Sequence, residues 1–567
     1  MSAPTPMTAW LDRQGTRLAH ALLAAILLGA AVVRFVGIGD YWLNPDEGIY
    51  YSVISWPDLA RRQAEIAENA HPPFYYHLLW VWSRVSMDLA WLRALAALAG
   101  VASVFGMFLL GRELIGGGRG LVTGLLAALL LACSPASIVL AQLIRPYTLQ
   151  VALIVFGLYG LARWHRRGGR PALGLFAGAM ALALLTHYSS VFALAAAGVP
   201  FLLLLVRGQL PRRALTELAI ACAVPFVVGL AIYLVYVRND LAGSALQQNA
   251  YATWLRPHLA IDKMHAWRQA IGVCGYLFGD ALSGTGMFAF LVALAVAIWL
   301  RAPRVWLAPV AIFLAAAAAS LAHLYPFGPA RHSVYLTPFL LLPIAWVLAR
   351  GISAAPRVRW ITGGVLAASL LSHTSLYVWL TDNQRVSRVG QEQVLLRRDL
   401  ETIRPRLEQL KATPGLLVTS QDSYLTLGPL WQHEREASRM AEGMRVFRWG
   451  ERTVLVHSEW AFSLQGQDLG KGGAHLYDFL VKADRVLPEL QVGRQRRLPT
   501  LFAGFHTAAM QGLLEYDGQR RAPTRLVANP ITVPGCGVIE LDAPTFGAEA
   551  AAALALATPQ AGGSAGR

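Results

Sequence analysis

The stretch LRALAALAGVASVFGMFLLGREL, residues 92–114, decides the fold class. No charged side chain lies between Arg93 and Arg112, and about 20 apolar residues are what an α-helix needs to cross the hydrocarbon core of a membrane. The whole chain has this character: of its 567 residues, 55% are hydrophobic and 14% charged, and the mean hydropathy is +0.45. Soluble domains rarely have such a composition, which indicates repeated membrane spans.

Apolar runs that span a membrane, or nearly do so, recur along the chain. They lie at 18–38, 92–111, 119–134, 146–163, 171–187, 190–206, 214–237, 284–300, 305–322, 333–349 and 360–379. Arginine clusters lie in every second loop between these runs, as the positive-inside rule requires. We therefore predict about eleven spans, with the N-terminus in the cytoplasm and the region after the last span outside.

One apolar segment, PFYYHLLWVWSRVS at residues 73–86, does not fit this count. It is short, and counting it as a span would invert the position of every later arginine cluster. Tyr and Trp side chains are favoured at membrane–water interfaces. We therefore interpret the segment as a juxtamembrane or re-entrant helix against the outer interface.

The composition changes after residue 380. The stretches GLLVTSQDSYLTLGPLW (415–431) and RTVLVHSEWAF (452–462) are typical of strands, whereas DFLVKADRVLPELQ (478–491) is typical of a helix. We predict a transmembrane domain at 1–380, a soluble α/β domain at 381–545 and a disordered Ala/Gly/Pro-rich tail at 546–567.

The net charge of +16 raises the question of a nucleic-acid partner. The basic residues stand in short clusters between apolar runs, and no basic–aromatic patch or recognition-helix pattern accompanies them. We therefore predict no nucleic-acid binding. The four cysteines have no CxxC or CxxxC spacing, so neither a disulfide framework nor a zinc site is indicated.

In this topology, the polar residues that could take part in a reaction lie on the outer side of the membrane. NPDEGIYYS (44–52) places two acids in the first outer loop, and HPPFYYHLLW (71–80) follows it. A carboxylate at a membrane edge is costly to desolvate and needs a partner, water or a chemical task. One acid among several cations suits the deprotonation of a hydroxyl while the cations hold a phosphate leaving group. The candidate residues are Asp46, Glu47, His71, Tyr75, Arg145, His187 and Arg331.

These motifs resemble those of the polytopic GT-C glycosyltransferases. The resemblance also includes residues 92–114, SPASIVLAQLIRPYTLQ (134–150) and RHSVYLTPFLLLP (331–343), and it covers roughly residues 18–350. It is strongest to the family-39-like branch of protein O-mannosyltransferases, aminoarabinose transferases acting on lipid A, and lipopolysaccharide-core sugar transferases. It implies an α-helical polytopic membrane protein with the GT-C fold.

The resemblance also implies an activity. Enzymes of this branch take a sugar from a polyprenyl-phosphate donor, so we expect transfer to an envelope acceptor (lipopolysaccharide, another glycan or a protein). The expected location is the bacterial inner membrane, multi-pass, with the C-terminal domain and the reaction on the periplasmic side. By resemblance, Asp46 is the general base of an inverting displacement, and His71, Arg145 and Arg331 bind the donor phosphate. Glu47, Tyr75 and His187 are further predicted substrate contacts.

One departure from the branch concerns the sugar. The aminoarabinose transferases carry Lys where this chain has His71, which argues against that sugar. A histidine also makes the charge of the phosphate site depend on pH.

Other interpretations of function remain open. One is an oligosaccharide ligase or polymerase with a pyrophosphate-linked donor, and another is a non-enzymatic transporter of lipid-linked sugars. Transporters bind near the bilayer midplane, whereas the charges here gather at one rim. We predict no cofactor. Some GT-C enzymes use a divalent cation, but a lone Asp–Glu pair supplies few ligands for a metal ion.

The candidate residues also have structural interpretations. Asp46 is alternatively a solvated loop acid or a helix N-cap. Glu47 is alternatively a side chain that faces water. The arginines reach headgroups in many membrane proteins, and a histidine between two spans is often structural.

Overall fold

The computed structural model describes most of the chain, in two units. The described residues are 6–67, 71–238, 259–279, 284–352, 395–431, 438–442, 444–457, 482–492, 497–503, 531–533 and 536–542, with positions 69, 354, 357, 363, 479, 480 and 495. One compact unit comprises Met1–Ile38 and Trp56–Gln384, and the other comprises Gly39–Ser55 and Arg385–Arg567. The segment that carries Asp46 thus belongs to the unit that contains the C-terminal region. The sequence-based boundaries at 380 and 545 stay predictions.

The described part of the chain is mostly helical. Its α-helices are α1 Pro6–Phe35, α2 Pro45–Ile54, α3 Leu59–Ala67, α4 Phe74–Ser83, α5 Leu89–Ile115, α6 Gly117–Cys133, α7 Pro135–Ala141, α8 Tyr147–Arg167, α9 Arg170–Thr186, α10 Ser190–Val206, α11 Arg212–Ile232, α12 Lys263–Phe278, α13 Thr285–Trp299, α14 Pro303–Leu321, α15 Thr337–Ile352, α16 Arg397–Ala412, α17 Gln421–Thr426 and α18 Gly428–Trp431. A π-helical turn, Tyr233–Val237, follows α11, and 3₁₀ turns lie at Arg331–Leu336 and Pro488–Leu490.

Several helices of the first unit are suited to a membrane. Within the described residues, five stretches are long and apolar enough to cross one: Arg17–Phe35, Leu89–Ile115, Arg212–Tyr236, Pro303–Leu321 and Arg331–Ile352. The pair α6 and α7, bent by 61°, adds a sixth if it is one span, and α9, α10 and α13 are shorter apolar helices. The chain is a multi-pass membrane protein by these criteria. The count of eleven stays a prediction, and the run at 360–379 lies almost entirely outside the described residues.

The long helix α5 illustrates how the sequence produces these spans. Asp88 caps its N-terminus by accepting a hydrogen bond from the Ala90 N–H at 2.9 Å, and the helix ends at Ile115 with Gly116 as its C-cap. In its interior, a Cβ on Gly111 would lie 2.9 Å from the Gly124 Cα, so the backbones of α5 and α6 approach closely. Small residues at such crossings allow the close van der Waals packing that holds membrane helices together.

The segment 73–86 forms the short helix α4. Its ten residues rise about 15 Å, which is half the thickness of a hydrocarbon core. The tryptophan after the midpoint, Trp82, stacks on Trp91 with ring centroids 4.4 Å apart. Each indole N–H donates to the backbone carbonyl of the other residue, at 2.7 and 2.9 Å. A helix of this length does not cross a bilayer; its position at the outer interface stays a prediction.

The second unit contains a mixed sheet. Its strands are β1 Gly415–Ser420, β2 Arg439–Ala441, β3 Met444–Trp449, β4 Arg452–His457, β5 Arg497–Ala503, β6 Ile531–Val533 and β7 Cys536–Asp542. Their order is β2-β3-β4-β1-β5-β7-β6, in which β1 runs parallel to β4 and β5 while the other pairs are antiparallel. The helices α16 and α17 flank the central strand β1 in sequence, so the unit has α/β character.

The strand predictions are partly wrong. The stretch 415–431 is a strand only as far as Ser420, after which it forms α17 and α18. The Ser420 hydroxyl accepts a hydrogen bond from the Ser423 N–H at 3.2 Å, and this cap starts a helix where the apolar pattern continues. The stretch 452–462 is a strand to His457, beyond which no residue of that prediction is described. Residues 479–480 and 482–486 are helical as predicted, and the predicted tail lies outside the described residues.

Candidate active site

A group of ring side chains lies in the first unit where several helices begin or end. It consists of His71, Tyr147, His187 and His332, and we call it the histidine cluster. The ring centroids are 5.0 Å apart for His71 and His187, and 5.4 Å for Tyr147 and His187. His332 lies 6.2 Å from Tyr147 and 6.4 Å from His187. Because each residue stands at a helix end, the loops at one end of the bundle build this cluster.

Arg145 supplies a permanent charge to the cluster. It is only 3% exposed, and its Nη2 donates a hydrogen bond to the Tyr147 hydroxyl at 3.3 Å. Its guanidinium carbon lies 5.5 Å from the centroid of the Tyr147 ring. The structure therefore brings together His71, Arg145 and His187 from the predicted set. Arg331 follows α14 in the 3₁₀ turn that also carries His332, and its charge acts on His71.

The imidazoles of His71 and His187 in this cluster are neutral at ordinary pH. Burial, followed by electrostatic interactions with His187, Arg145, His332 and Arg331 that disfavour a second proton, holds the pKa of His71 well below its usual value. Burial and the Arg145 charge lower the pKa of His187 to about 3. The pH dependence expected from His71 is therefore displaced below the neutral range in the free protein. At neutral pH the arginines carry the charge of the cluster, and the histidines act as neutral hydrogen-bonding groups.

His187 has one ring nitrogen satisfied and one not. Its Nδ1 accepts a hydrogen bond from the Ser189 N–H at 3.3 Å, so the neutral ring carries its proton on Nε2. The Ser189 hydroxyl accepts in turn from the Gln150 amide at 2.8 Å. The buried Nε2 has no hydrogen-bond partner among the residues that the structure describes. A buried donor left unsatisfied costs about 1–3 kcal/mol, so a water or ligand acceptor is expected there.

The predicted residue Tyr75 lies on α4 and is buried, with 1% of its surface exposed. It belongs to the same unit as the histidine cluster. Its predicted contact with substrate stays a prediction.

The acids of the first outer loop lie in the second unit, at the N-terminus of α2. Asn44 is the N-cap: its side chain accepts from the Glu47 N–H at 2.9 Å, while the Asn44 N–H donates to the Glu47 carboxylate at 3.3 Å. This capping box, with Pro45 at the first helical position, fixes where α2 begins. Glu47 is fully buried, so it does not face water, and its carboxylate has a structural task. Asp46 is half-buried at the second helical position and is not the N-cap.

A third carboxyl group in this unit, Asp422, was not among the predicted site residues. It lies at the start of α17, which packs against α2, and it is 9% exposed. Burial and the nearby charge of Asp46 raise the pKa of Asp422 to about 7. The sequence gives no signal for Asp422 because its stretch has the pattern of a strand.

No set of three or more His, Cys, Asp or Glu side chains is arranged to hold a metal ion within the described ranges. The expectation of a metal-independent protein stays a prediction.

The comparison with solved structures identifies the fold. The apo structure of ArnT from Cupriavidus metallidurans matches with a TM-score of 0.51 and 15% sequence identity, over 94% of this chain and 98% of that chain. The chain has the GT-C fold. The resemblance inferred from the sequence is therefore confirmed at the level of the fold.

Other GT-C structures also match. ArnT from Cupriavidus metallidurans bound to undecaprenyl phosphate matches with a TM-score of 0.49 and 16% identity, over 92% of this chain and 97% of that chain. The Archaeoglobus fulgidus oligosaccharyltransferase in complex with Zn and sulfate matches with a TM-score of 0.49 and 13% identity, over 84% of this chain and 67% of that chain. No protein-family model matches the chain, and no curated protein matches it.

Two members of the histidine cluster were not among the predicted site residues. Tyr147 follows Arg145 by two positions, and His332 is adjacent to Arg331. Both therefore lie beside a predicted residue in a quoted motif. The available signal was this adjacency, since residues at a helix end share the surroundings of their neighbours.

Proposed function

We propose that this chain is a membrane glycosyltransferase that transfers a sugar from a polyprenyl-phosphate donor to an envelope acceptor on the periplasmic side. The observation that carries the proposal is the histidine cluster with Arg145, at helix ends of a GT-C fold. ArnT of Cupriavidus metallidurans, which shares the fold, has a structure with undecaprenyl phosphate. This donor class agrees with the chemistry of the cluster.

The cluster suits a phosphate group for electrostatic reasons. Guanidinium groups bind phosphate oxygens through charge-assisted hydrogen bonds, which are about twice as strong as neutral ones. Arg145 is nearly buried, so its charge is weakly screened by solvent. The neutral His187 adds an N–H donor on Nε2. A bound phosphate would balance the positive charge of Arg145 and supply the acceptor that Nε2 lacks.

The proposed reaction is an inverting displacement at the anomeric carbon. The acceptor hydroxyl oxygen forms the new bond to this carbon, and its proton passes to the Asp46 carboxylate. The bond between the anomeric carbon and the donor phosphate oxygen breaks, and its electron pair leaves with the polyprenyl phosphate. Arg145 and Arg331 stabilise the negative charge that develops on the leaving group. His71 and Tyr75 are proposed to contact the donor.

The acceptor is proposed as lipopolysaccharide, another envelope glycan or a protein, in the bacterial inner membrane with the C-terminal domain periplasmic. The sugar is set by pocket shape and a few hydrogen bonds, which the candidate residues do not specify. Mass spectrometry of the whole envelope therefore serves better than an assay with one chosen sugar.

The test compares cells that lack the protein with cells that express wild type or Asp46→Asn at matched levels. We expect one sugar mass to vanish from the envelope without the protein, its lipid carrier to accumulate, and wild type alone to restore both. The control is Asp58→Asn, which changes an exposed acid at the start of α3 and should behave as wild type. Full restoration by Asp46→Asn would refute the role of Asp46 as base.

The same extracts separate the alternatives. A ligase or polymerase with a pyrophosphate-linked donor would release polyprenyl pyrophosphate and alter oligosaccharide masses. A transporter would form no product in an assay with purified protein, donor and acceptor, because it makes no glycosidic bond. Formation of a product by purified protein, donor and acceptor therefore excludes the transporter.

A further inference from the structure

The helices α2 and α17 approach each other with their backbones in contact. A Cβ on Gly48 would lie 2.3 Å from the carbonyl oxygen of Leu425, a distance that no real side chain tolerates. The indole of Trp42, just before α2, donates a hydrogen bond to the Thr426 carbonyl at 2.9 Å. These contacts fix the N-terminal turn of α2 relative to the helix that carries Asp422.

The position of α17 is fixed in turn by the sheet. Its residue Ser423 accepts a hydrogen bond from the Ala503 N–H at 2.8 Å and donates to the Ala503 carbonyl at 3.2 Å. Ser420, the last residue of β1, caps the helix. Asp422 therefore stands on a helix held to β1 and β5, and its placement beside Asp46 does not depend on a mobile loop.

The surroundings of the two acids differ. Asp46 is half-buried in the first turn of a capped ten-residue helix, where backbone N–H groups favour a negative charge. Asp422 is almost fully buried, which disfavours its charged form. Two carboxylates that act on each other in such a place do not ionise together as readily as separate ones, so one proton is retained to higher pH.

We propose that Asp422 is a positioning residue for Asp46: it holds the retained proton of a carboxyl pair and keeps Asp46 as the ionised member. This inference rests on the proposed function, in which Asp46 takes the proton of the acceptor hydroxyl. The proton of Asp422 is not transferred in the reaction. When Asp422 ionises, the two negative charges repel each other. The Asp46 side chain then moves away from its position at the start of α2.

Among the described side chains on the elements packed against α17, none is a cation that acts on the Asp422 carboxyl. The guanidinium of Arg445, on β3, lies over the ring of Tyr424, 5.1 Å from its centroid. On α2, Glu47 is engaged in the capping box, and Tyr50 and Tyr51 are neutral phenols. β1 has no ionisable side chain, and β5 has none among its described side chains. Among the described side chains of β4, the cation is Arg452, which donates to the carbonyls of Leu410 and Leu416, at the opposite end of β1. The raised pKa of Asp422, about 7, agrees with this placement.

The first measurement is the pH–rate profile of sugar transfer by wild type, Asp422→Asn and Asp46→Asn. We expect the wild-type rate to fall on the alkaline side of neutrality, to about a tenth of its maximum at about pH 8, as Asp422 ionises. Asn at 422 imitates the protonated acid at every pH. Asp422→Asn should keep a rate within about threefold of wild type at acid pH and lose the alkaline decline. A decline unchanged in Asp422→Asn overturns the inference.

The second measurement needs no variant at 422 and no turnover. The infrared carbonyl band of protonated carboxyl groups is titrated in wild type and in Asp46→Asn. Removing the Asp46 charge should move the titration of Asp422 to lower pH, and no movement overturns the inference. Retention of sugar transfer by Asp46→Asn instead refutes the proposed role of Asp46 as base, so the two failures are distinguishable.

Discussion

The guanidinium of Arg34 donates a hydrogen bond to the hydroxyl of Ser137 at 2.8 Å, although Arg34 has no exposed surface. The same guanidinium donates to the carbonyls of Leu131 and Ala132, each at 3.2 Å. These carbonyls belong to the end of α6, where the 61° bend to α7 begins. One side chain of α1 thus satisfies the backbone groups that the bend releases.

The first prediction concerns the stability of this bend. Arg34→Leu should lower the free energy of unfolding by about 2–5 kcal/mol, because buried carbonyls lose their donors. Arg34→Lys should recover only part of this, since an ammonium lacks the planar fork of a guanidinium. The measurement is thermal unfolding in detergent, with Arg17→Leu as the control because Arg17 is exposed on the same helix. Equal midpoints for Arg34→Leu and the control would contradict the prediction.

The second prediction concerns donor binding by Arg145. Arg145→Ala should weaken the binding of a polyprenyl phosphate by about 10- to 100-fold, the effect of about 1.5–3 kcal/mol for a hydrogen bond to a charged group. Arg163→Ala, at the exposed opposite end of α8, is the matched control. Titration of the purified variants with the lipid gives both affinities, and unchanged binding by Arg145→Ala would remove this residue from the phosphate site.

The third prediction concerns His332, which was not among the predicted site residues. Its ring lies 6.2 Å from Tyr147 within the histidine cluster, so His332→Ala should weaken donor binding by about 3- to 30-fold, as for one or two lost hydrogen bonds. The exposed His323 lies in the same loop region, and His323→Ala is the control. If both substitutions have the same effect, His332 has no special role in binding.

The fourth prediction is a pH dependence of stability. The folded protein holds the pKa of His187 at about 3, below its ordinary value of 6.5. When the pH falls below 6.5, the unfolded chain binds a proton that the folded chain does not, so the free energy of unfolding decreases. The loss approaches about 1.4 kcal/mol per pH unit for this one group.

The measurement is the thermal midpoint of wild type and His187→Gln from about pH 7 to about pH 5. Gln does not titrate, so the variant should lose less stability on acidification than wild type does. If the thermal midpoints of wild type and His187→Gln decreased equally, His187 would be protonated in the folded protein without a loss of stability.

The fifth prediction concerns the contact of α2 with α17. Gly48→Ala should destabilise the second unit, because its Cβ would collide with a backbone carbonyl that cannot move independently. Gly29→Ala on α1 has nothing within 4 Å of the new Cβ and should be neutral or slightly stabilising. Limited proteolysis of the C-terminal region reports on the second unit, and equal protection of the two variants would refute the prediction.

Much of the helical architecture could be predicted because apolar runs are a property of the local sequence. The run at 92–111 lies within α5, and the run at 305–322 overlaps α14 almost completely. The candidate residues His71, Arg145, His187 and Arg331 could be placed at helix ends by the same reasoning. Which of these ends meet could not be predicted, because that depends on the packing of whole helices.

The features that were missed depend on contacts between distant residues. The helix α17 follows from a cap by Ser420 that overrides the apolar pattern of its stretch. The grouping of Gly39–Ser55 with the C-terminal region depends on the contact of Gly48 with Leu425, which are remote in sequence. Neither relationship has a periodicity that a single sequence displays.

The division of the second unit between two distant segments has a consequence for biosynthesis. Gly39–Ser55 leaves the ribosome long before Arg385–Arg567 is made, and at about 5–20 residues per second the interval is roughly 20–60 s. During this time α2 exists without the helix and sheet that later cover it. A nascent or truncated chain therefore carries Asp46 without its final environment, and the environment of the proposed base is completed only when translation of the last strands ends.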